Sequence, residues 1–417
     1  MTRQTIDLVE VDKVLKIANS LLDVAKSYAA LEKYQKVIEF LKEAVDIMNR
    51  INFENKLNSN ISVILNDIAI SYENLGNLNE SIENLKRALS FYDIDIRNFS
   101  RYDLIDDKNT AALLNNLGSI YKNANEYQQS IEYFEKSLEM KYKILSTNNA
   151  DTYDELSIAN TLNNLGLSYQ SMTDYEKSIK YFNEALDIYK KLMNENRFMI
   201  NYANTLNNIG VSHQQIKNFE LSIEYFNESL NIKNTIFRNK DHSLIAGTLN
   251  NLGISYGFLN ENLKSIEYFT KSLEMNSKLF DRSTHLNPCI ANTLSNLGIM
   301  YYRINHINKS IDYLTEAIDL YEKIYPNDKE VLSFANALTF AGVSYQTMNE
   351  HRLACDLLTR SLDMKKKIYK NQDDPSILST KSYLDKSLNY LNDQMEETLG
   401  IYLTNDTLYD IEHLNFE

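Results

Sequence analysis

Three prolines and ten glycines in 417 residues are too few for a chain of short strands and tight turns, so a β-rich architecture is excluded and helix is expected throughout. Two cysteines, Cys289 and Cys355, make neither a disulfide framework nor a zinc site by themselves. No run of about 18 apolar residues exists, and the opening "MTRQTIDLVEVDKVLKIANS" lacks the apolar stretch of a secretory signal; a cytoplasmic protein without membrane insertion is the expectation. Clustered positive charge is missing as well. With 43 basic residues against 57 acidic ones and a net charge of -14, nucleic acid is not an expected partner. The six histidines (His213, His242, His285, His306, His351 and His413) form no metal or catalytic spacing, and no glycine-rich phosphate loop occurs. No enzyme, metal or cofactor is therefore expected.

What the chain does have is apolar content, at 43% of residues enough to fold. A single core seldom grows past about 250–300 residues, so the chain must divide into domains or repeat a small unit. Its internal copies choose repetition. "ANTLNNLGLSY" (159–169) returns as "ANTLNNIGVSH" (203–213), "AGTLNNLGISY" (246–256) and "ANTLSNLGIMY" (291–301). A small residue occupies one recurring slot: Ala25, Ala69, Gly118, Gly166, Gly210, Gly253, Gly298 and Gly342. Successive spacings of 44, 49, 48, 44, 43, 45 and 44 residues mark a solenoid. Tyrosine stands three residues after nearly every slot, with His213 the one substitute. Farther on comes a second amphipathic segment, such as "SIKYFNEAL" (178–186) and "SIEYFTKSL" (265–273). Each unit therefore reads as helix, short turn, helix. Pro288, Pro326 and Pro375 all fall at junctions between units, where they break no helix interior.

These residues resemble the tetratricopeptide repeat, with the small slot at its eighth position, Tyr at the eleventh, and Ser178, Phe182 and Ala185 at the twentieth, twenty-fourth and twenty-seventh. The period exceeds the usual 34 residues by roughly ten. That length, with "DHSLIAGTLNNLG" (241–253) and "DDPSILSTKSYL" (373–384), is similar to the subclass found in kinesin light chains and nephrocystin-like proteins. The resemblance covers about residues 17–395 and implies an all-α fold, a right-handed α-α superhelix. About eight repeats start near 18, 62, 111, 159, 203, 246, 291 and 335, and a capping helix over 375–395 closes the solenoid (1–395). The acidic tail 396–417 is read as an extra packed helix or a disordered end; folding back into the groove is a third possibility. The long junction 90–109 is the place where the solenoid would bend or present a loop.

At about 100° per residue, repeat positions 4, 7, 8 and 11 share one helix face. Leu162, Leu165, Gly166 and Tyr169 are then expected to meet the second helix, with glycine admitting its close approach at a propensity cost of about 1 kcal/mol. The asparagines fall opposite. Position 6 runs Asp23, Asp67, Asn116, Asn164, Asn208, Asn251, Asn296 and then Phe340; position 5 adds Asn163, Asn207 and Asn250; position 2 adds Asn160 and Asn204. Position 9 carries Leu167, Val211 and Ile254, an apolar stripe beside the amides. The resemblance implies that this face lines a concave groove in which the position-6 asparagines hold the backbone of an extended peptide. A carboxamide suits that task because it both donates and accepts. A second reading stays open, in which compositional bias and duplication copied the asparagines without use.

Lys26 is the lone basic residue at positions 2, 5, 6 and 9. A basic clamp for chaperone C-terminal tails is therefore missing, and such tails are not expected partners. The function expected is a non-catalytic adaptor or scaffold binding a protein segment. The alternative is a structural subunit that uses its outer face or ends and leaves the groove idle.

Overall fold

The computed structural model describes residues 8–51, 57–92, 108–146, 152–192, 198–280, 286–326, 330–369 and 371–404. Among them are seventeen α-helices and no strand. The chain divides into two units, 1–216 and 217–417. The first holds α1 (Leu8–Ala29), α2 (Tyr34–Ile51), α3 (Asn58–Asn74), α4 (Leu78–Ser90), α5 (Lys108–Asn123), α6 (Tyr127–Leu145), α7 (Thr152–Ser171), α8 (Tyr175–Leu192) and α9 (Met199–Gln215). The second holds α10 (Phe219–Ile236), α11 (Ser243–Phe258), α12 (Asn262–Leu279), α13 (Pro288–Arg303), α14 (Ile307–Ile324), α15 (Leu332–Thr347), α16 (His351–Ile368) and α17 (Pro375–Thr404). Within each unit consecutive helices pack in antiparallel pairs, an all-α solenoid of helix–turn–helix repeats. The capping helix expected over 375–395 packs on α16 and runs to Thr404. Most of the junction 90–109, the end of the tail, His285 and His413 lie outside the described residues.

The glycine slot does what its helix face predicts. A Cβ built on Gly166 would stand 2.6 Å from the Phe182 ring, and one on Gly118 2.7 Å from Phe134. In the second unit, Gly253 meets Phe269 at 2.6 Å and Gly298 meets Leu314 at 2.5 Å. The ring of one helix thus rests on the bare backbone of its partner. Three residues on, tyrosine stacks on an aromatic of the second helix: Tyr121 on Tyr133 at 5.3 Å, Tyr169 on Tyr181 at 5.4 Å, Tyr256 on Tyr268 and Tyr301 on Tyr313 both at 5.3 Å.

One turn geometry closes the first helices. The residue seven after the slot has a left-handed backbone in Glu32, Gly76, Asn125, Thr173, Asn260, Asn305 and Asn349. The next N–H then reaches back to the carbonyl of the recurring tyrosine, as from Asp174 to Tyr169 at 3.0 Å and from Glu261 to Tyr256 at 2.9 Å. Asparagine tolerates this conformation; a β-branched threonine at φ 63° does not. Thr173→Asn is expected to stabilise the first unit by about 1 kcal/mol, read as a higher denaturant midpoint. An unchanged or lower midpoint would mean that the turn relaxes around threonine.

Serines that replace the family's alanines are buried and bonded. Ser265 Oγ donates to the Gly253 carbonyl at 2.7 Å, and Ser137, Ser272 and Ser361 donate to the carbonyls of Ala111, Ala246 and Ala335 at 2.7–2.8 Å. Their small size admits close helix contact, and the carbonyl offsets the cost of burying a hydroxyl.

Candidate functional site

The first helices of the repeats carry the amides. In the first unit, α5 presents Asn116, α7 presents Asn160, Asn163 and Asn164, and α9 presents Asn204, Asn207 and Asn208. In the second, α11 presents Asn250 and Asn251 and α13 presents Asn296. All are half-buried except Asn160, which is exposed, and Leu167, Val211 and Ile254 beside them are half-buried too.

Helices one repeat apart are stitched through these amides. Asn116 Nδ2 donates to Asn66 Oδ1 at 2.7 Å, Asn208 Nδ2 to Asn163 Oδ1 at 3.2 Å, and in the second unit Asn296 Nδ2 to Asn250 Oδ1 at 3.4 Å. A threonine two residues after the repeat start shares the acceptor: Thr161 Oγ1 donates to Asn115 Oδ1 at 3.0 Å, Thr205 to Asn163 at 3.2 Å and Thr293 to Asn250 at 3.4 Å. The position-5 amide therefore accepts from the next repeat's position-3 hydroxyl and position-6 amide. Asn164 departs from this pattern, since its carboxamide bonds no side chain among the described residues, although the Oδ1 of Asn163 next to it accepts two hydrogen bonds. Asn204 is likewise without a side-chain hydrogen bond there, and Leu167 and Val211 accompany the two amides.

Second helices support the ladder from behind, through a position 23 residues after the slot that sequence reasoning missed. Tyr189 and Tyr321 hydroxyls donate to the Oδ1 of Asn160 at 2.6 Å and of Asn292 at 2.5 Å. Lysine occupies the same place in three other repeats. Lys141 Nζ donates to Thr161 Oγ1 at 2.5 Å and to the Ser157 carbonyl at 3.2 Å, while Lys233 Nζ donates to Thr248 Oγ1 at 2.9 Å. Lys365 Nζ donates to Thr339 and Thr380 at 3.0 Å each. Burial pushes all three ammonium groups down to about 8. The signal in the sequence was a polar residue recurring at a buried helix position, which isolated repeats do not reveal.

Two of the histidines take places within the repeat architecture. His213 stands in the tyrosine slot, where burial holds its imidazole below the usual range, and His242 caps α11 by accepting from the Leu244 N–H at 3.1 Å. No group of three metal-ligating side chains occurs among the described residues, and none of their helices is long and apolar enough to cross a membrane.

A family model described as tetratricopeptide repeat matches residues 60–143, 157–235, 201–278 and 244–323, more than half of the chain. A search of curated proteins finds no significant match. Among solved structures, the apo form of RapI is 15% identical, covering 74% of this chain and 99% of its own at a TM-score of 0.53. A Rap protein complexed with competence and sporulation factor is 13% identical, covering 92% of this chain and 99% of its own, with a TM-score of 0.50. A Podosopora anserina putative kinesin light chain with nearly identical TPR-like repeats is 14% identical, covering 53% and 97%, with a TM-score of 0.42. Identities this low carry the fold alone.

Proposed function

The chain belongs to the tetratricopeptide repeat family, and from that premise we propose that it is a non-catalytic scaffold or adaptor whose first-helix face holds an extended segment of a partner protein. The observation that carries this reading is Asn164. Its neighbours in the ladder spend their amides on one another, whereas Asn164 keeps a donor and an acceptor for the alternating N–H and C=O groups of a peptide backbone. Leu167 and Val211 alongside it would receive alternate side chains of that segment. Ordering a flexible peptide opposes the gain, so a micromolar affinity is expected.

The test separates binding from architecture by titrating a mapped partner peptide. One amide bond is worth about 0.5–1.5 kcal/mol net, so Asn164→Ala is expected to weaken binding roughly two- to tenfold while leaving the unfolding midpoint in place. Asn208→Ala breaks its bond to Asn163, and is expected to lower stability by a similar energy. If Asn164→Ala binds as tightly as wild type, the peptide reading fails. The bonds from Asn116, Asn208 and Asn296 to Asn66, Asn163 and Asn250 favour the second reading, a structural subunit whose amide ladder only holds repeats together.

A further inference from the structure

Between the first two repeats the amide rung is replaced. Where later repeats place asparagine, threonine and asparagine, the α1–α3 junction has Leu22, Ile64 and Asp67. The α13–α15 junction also lacks a rung, with Ser295, Ala337 and Phe340, but there Phe340 lies edge-on to Tyr302 at 6.0 Å and fills the space. At α1–α3 nothing of that size is present, and a cleft of about 420 Å³ opens, lined by Leu22, Val37, Met48, Val63, Ile64 and Ile70. That volume lies within the roughly 300–1,000 Å³ typical of ligand sites. Val63 and Ile70 are 44% and 39% exposed, which leaves apolar surface in water at its mouth.

Charge says what the occupant carries. Lys26 on one wall lies 3.3 Å from Asp23 and also within the field of Asp67 on the other, so two carboxylates share one ammonium and the mouth keeps a net negative charge. A cationic group arriving at the mouth gains a carboxylate that an anionic group would meet as repulsion. We propose that the α1–α3 cleft is an anchor pocket for a leucine, methionine or phenylalanine side chain that stands beside a lysine or arginine in a bound protein segment. The proposal rests on the reading that this face holds a peptide, and it names the side chains that such a segment brings.

Three fluorescein-labelled synthetic peptides in a Ser/Gly background test it by polarisation against the intact chain: a central phenylalanine flanked by lysines, the same flanked by glutamates, and a lysine-flanked alanine. The first is expected to bind about tenfold or more tightly than either other. Val63→Glu is expected to abolish its binding and Asp67→Asn to weaken it about three- to tenfold, with circular dichroism unchanged, since both side chains are solvent-exposed. Equal affinity for the lysine- and glutamate-flanked peptides, indifference to Val63→Glu, or no binding up to about 1 mM peptide would overturn the proposal. So would a dimer in sedimentation that Val63→Glu dissociates, because the occupant would then be a second copy. A partner segment that loses affinity with Asn164→Ala but not with Val63→Glu leaves the ladder reading standing and removes the cleft.

Discussion

Gly166→Ala is expected to destabilise the α7–α8 pair, and adding Phe182→Leu to the same chain is expected to recover most of the loss. The new methyl would lie 2.6 Å from two atoms of the Phe182 ring, far inside van der Waals contact, so either the ring leaves its rotamer or the helices part. Overpacking of this kind costs about 1–3 kcal/mol, and Gly166→Leu, with three more carbons in the same space, lies at the upper end or beyond. The better helix propensity of alanine returns at most about 1 kcal/mol of it. The compensating partner is already written in the chain: the slot alanines Ala25 and Ala69 stand sixteen residues before Leu41 and Leu85, whereas phenylalanine follows only glycine, at Gly118, Gly166, Gly210 and Gly253; Gly298 and Gly342 precede Leu314 and Leu358, so leucine occurs with either slot residue. A double-mutant cycle should therefore give a coupling energy of about 1–2 kcal/mol between positions 166 and 182. Because repeats unfold in part independently, hydrogen exchange in α7 and α8 reads the effect more directly than a global midpoint. Additive single effects would mean that the two side chains do not share the space the geometry gives them.

That pairing shows how much of the fold was legible. A recurrence of glycine and tyrosine about every 44 residues, combined with the helical period, places Gly166 and Tyr169 on the inter-helix face from the sequence alone, because a face is a local property of one helix. The turns were half legible: Asn125, Asn260, Asn305 and Asn349 announce a left-handed residue, whereas Glu32 and Thr173 adopt it only because the repeat on either side demands it. The amide ladder was visible as a stripe, but its principal structural use was not. Asn208 finds Asn163 across 45 positions of sequence, and Thr205 competes for the same oxygen, a relation between two repeats that no single repeat displays. The vacancy at Leu22, Ile64 and Asp67 was unreadable for the same reason, since an absent rung is meaningful only once the rungs elsewhere are known.

Raising the pH from 7 to 10 is expected to stabilise the protein, against the usual course for a chain this acidic. Lys141, Lys233 and Lys365 are buried among hydroxyls and carbonyls, and desolvation depresses each to about 8 from an ordinary 10.5, at Lys365 against the opposing field of Asp374. Between those two values the unfolded chain holds protons that the folded chain has shed, so unfolding is increasingly disfavoured as pH climbs through the window. Each shift corresponds to about 3 kcal/mol at most, and relaxation around the ammonium groups brings the realised gain nearer 1–2 kcal/mol apiece. Tyrosines set the upper limit. Burial pushes Tyr133 up to about 12 and raises Tyr189 and Tyr321 as well, so above about pH 10 the unfolded chain ionises first and stability falls again. The denaturant midpoint should thus peak between about pH 9 and 10. Lys233→Met keeps the stem volume while removing the buried charge, and Thr248 retains its own bond to the Leu244 carbonyl. That variant is expected to gain about 1–2 kcal/mol at pH 7 and to show a correspondingly smaller rise towards pH 10. A midpoint that falls steadily from pH 7, or a Lys233→Met protein less stable than wild type at that pH, would mean that the ammonium groups are better solvated than their burial implies.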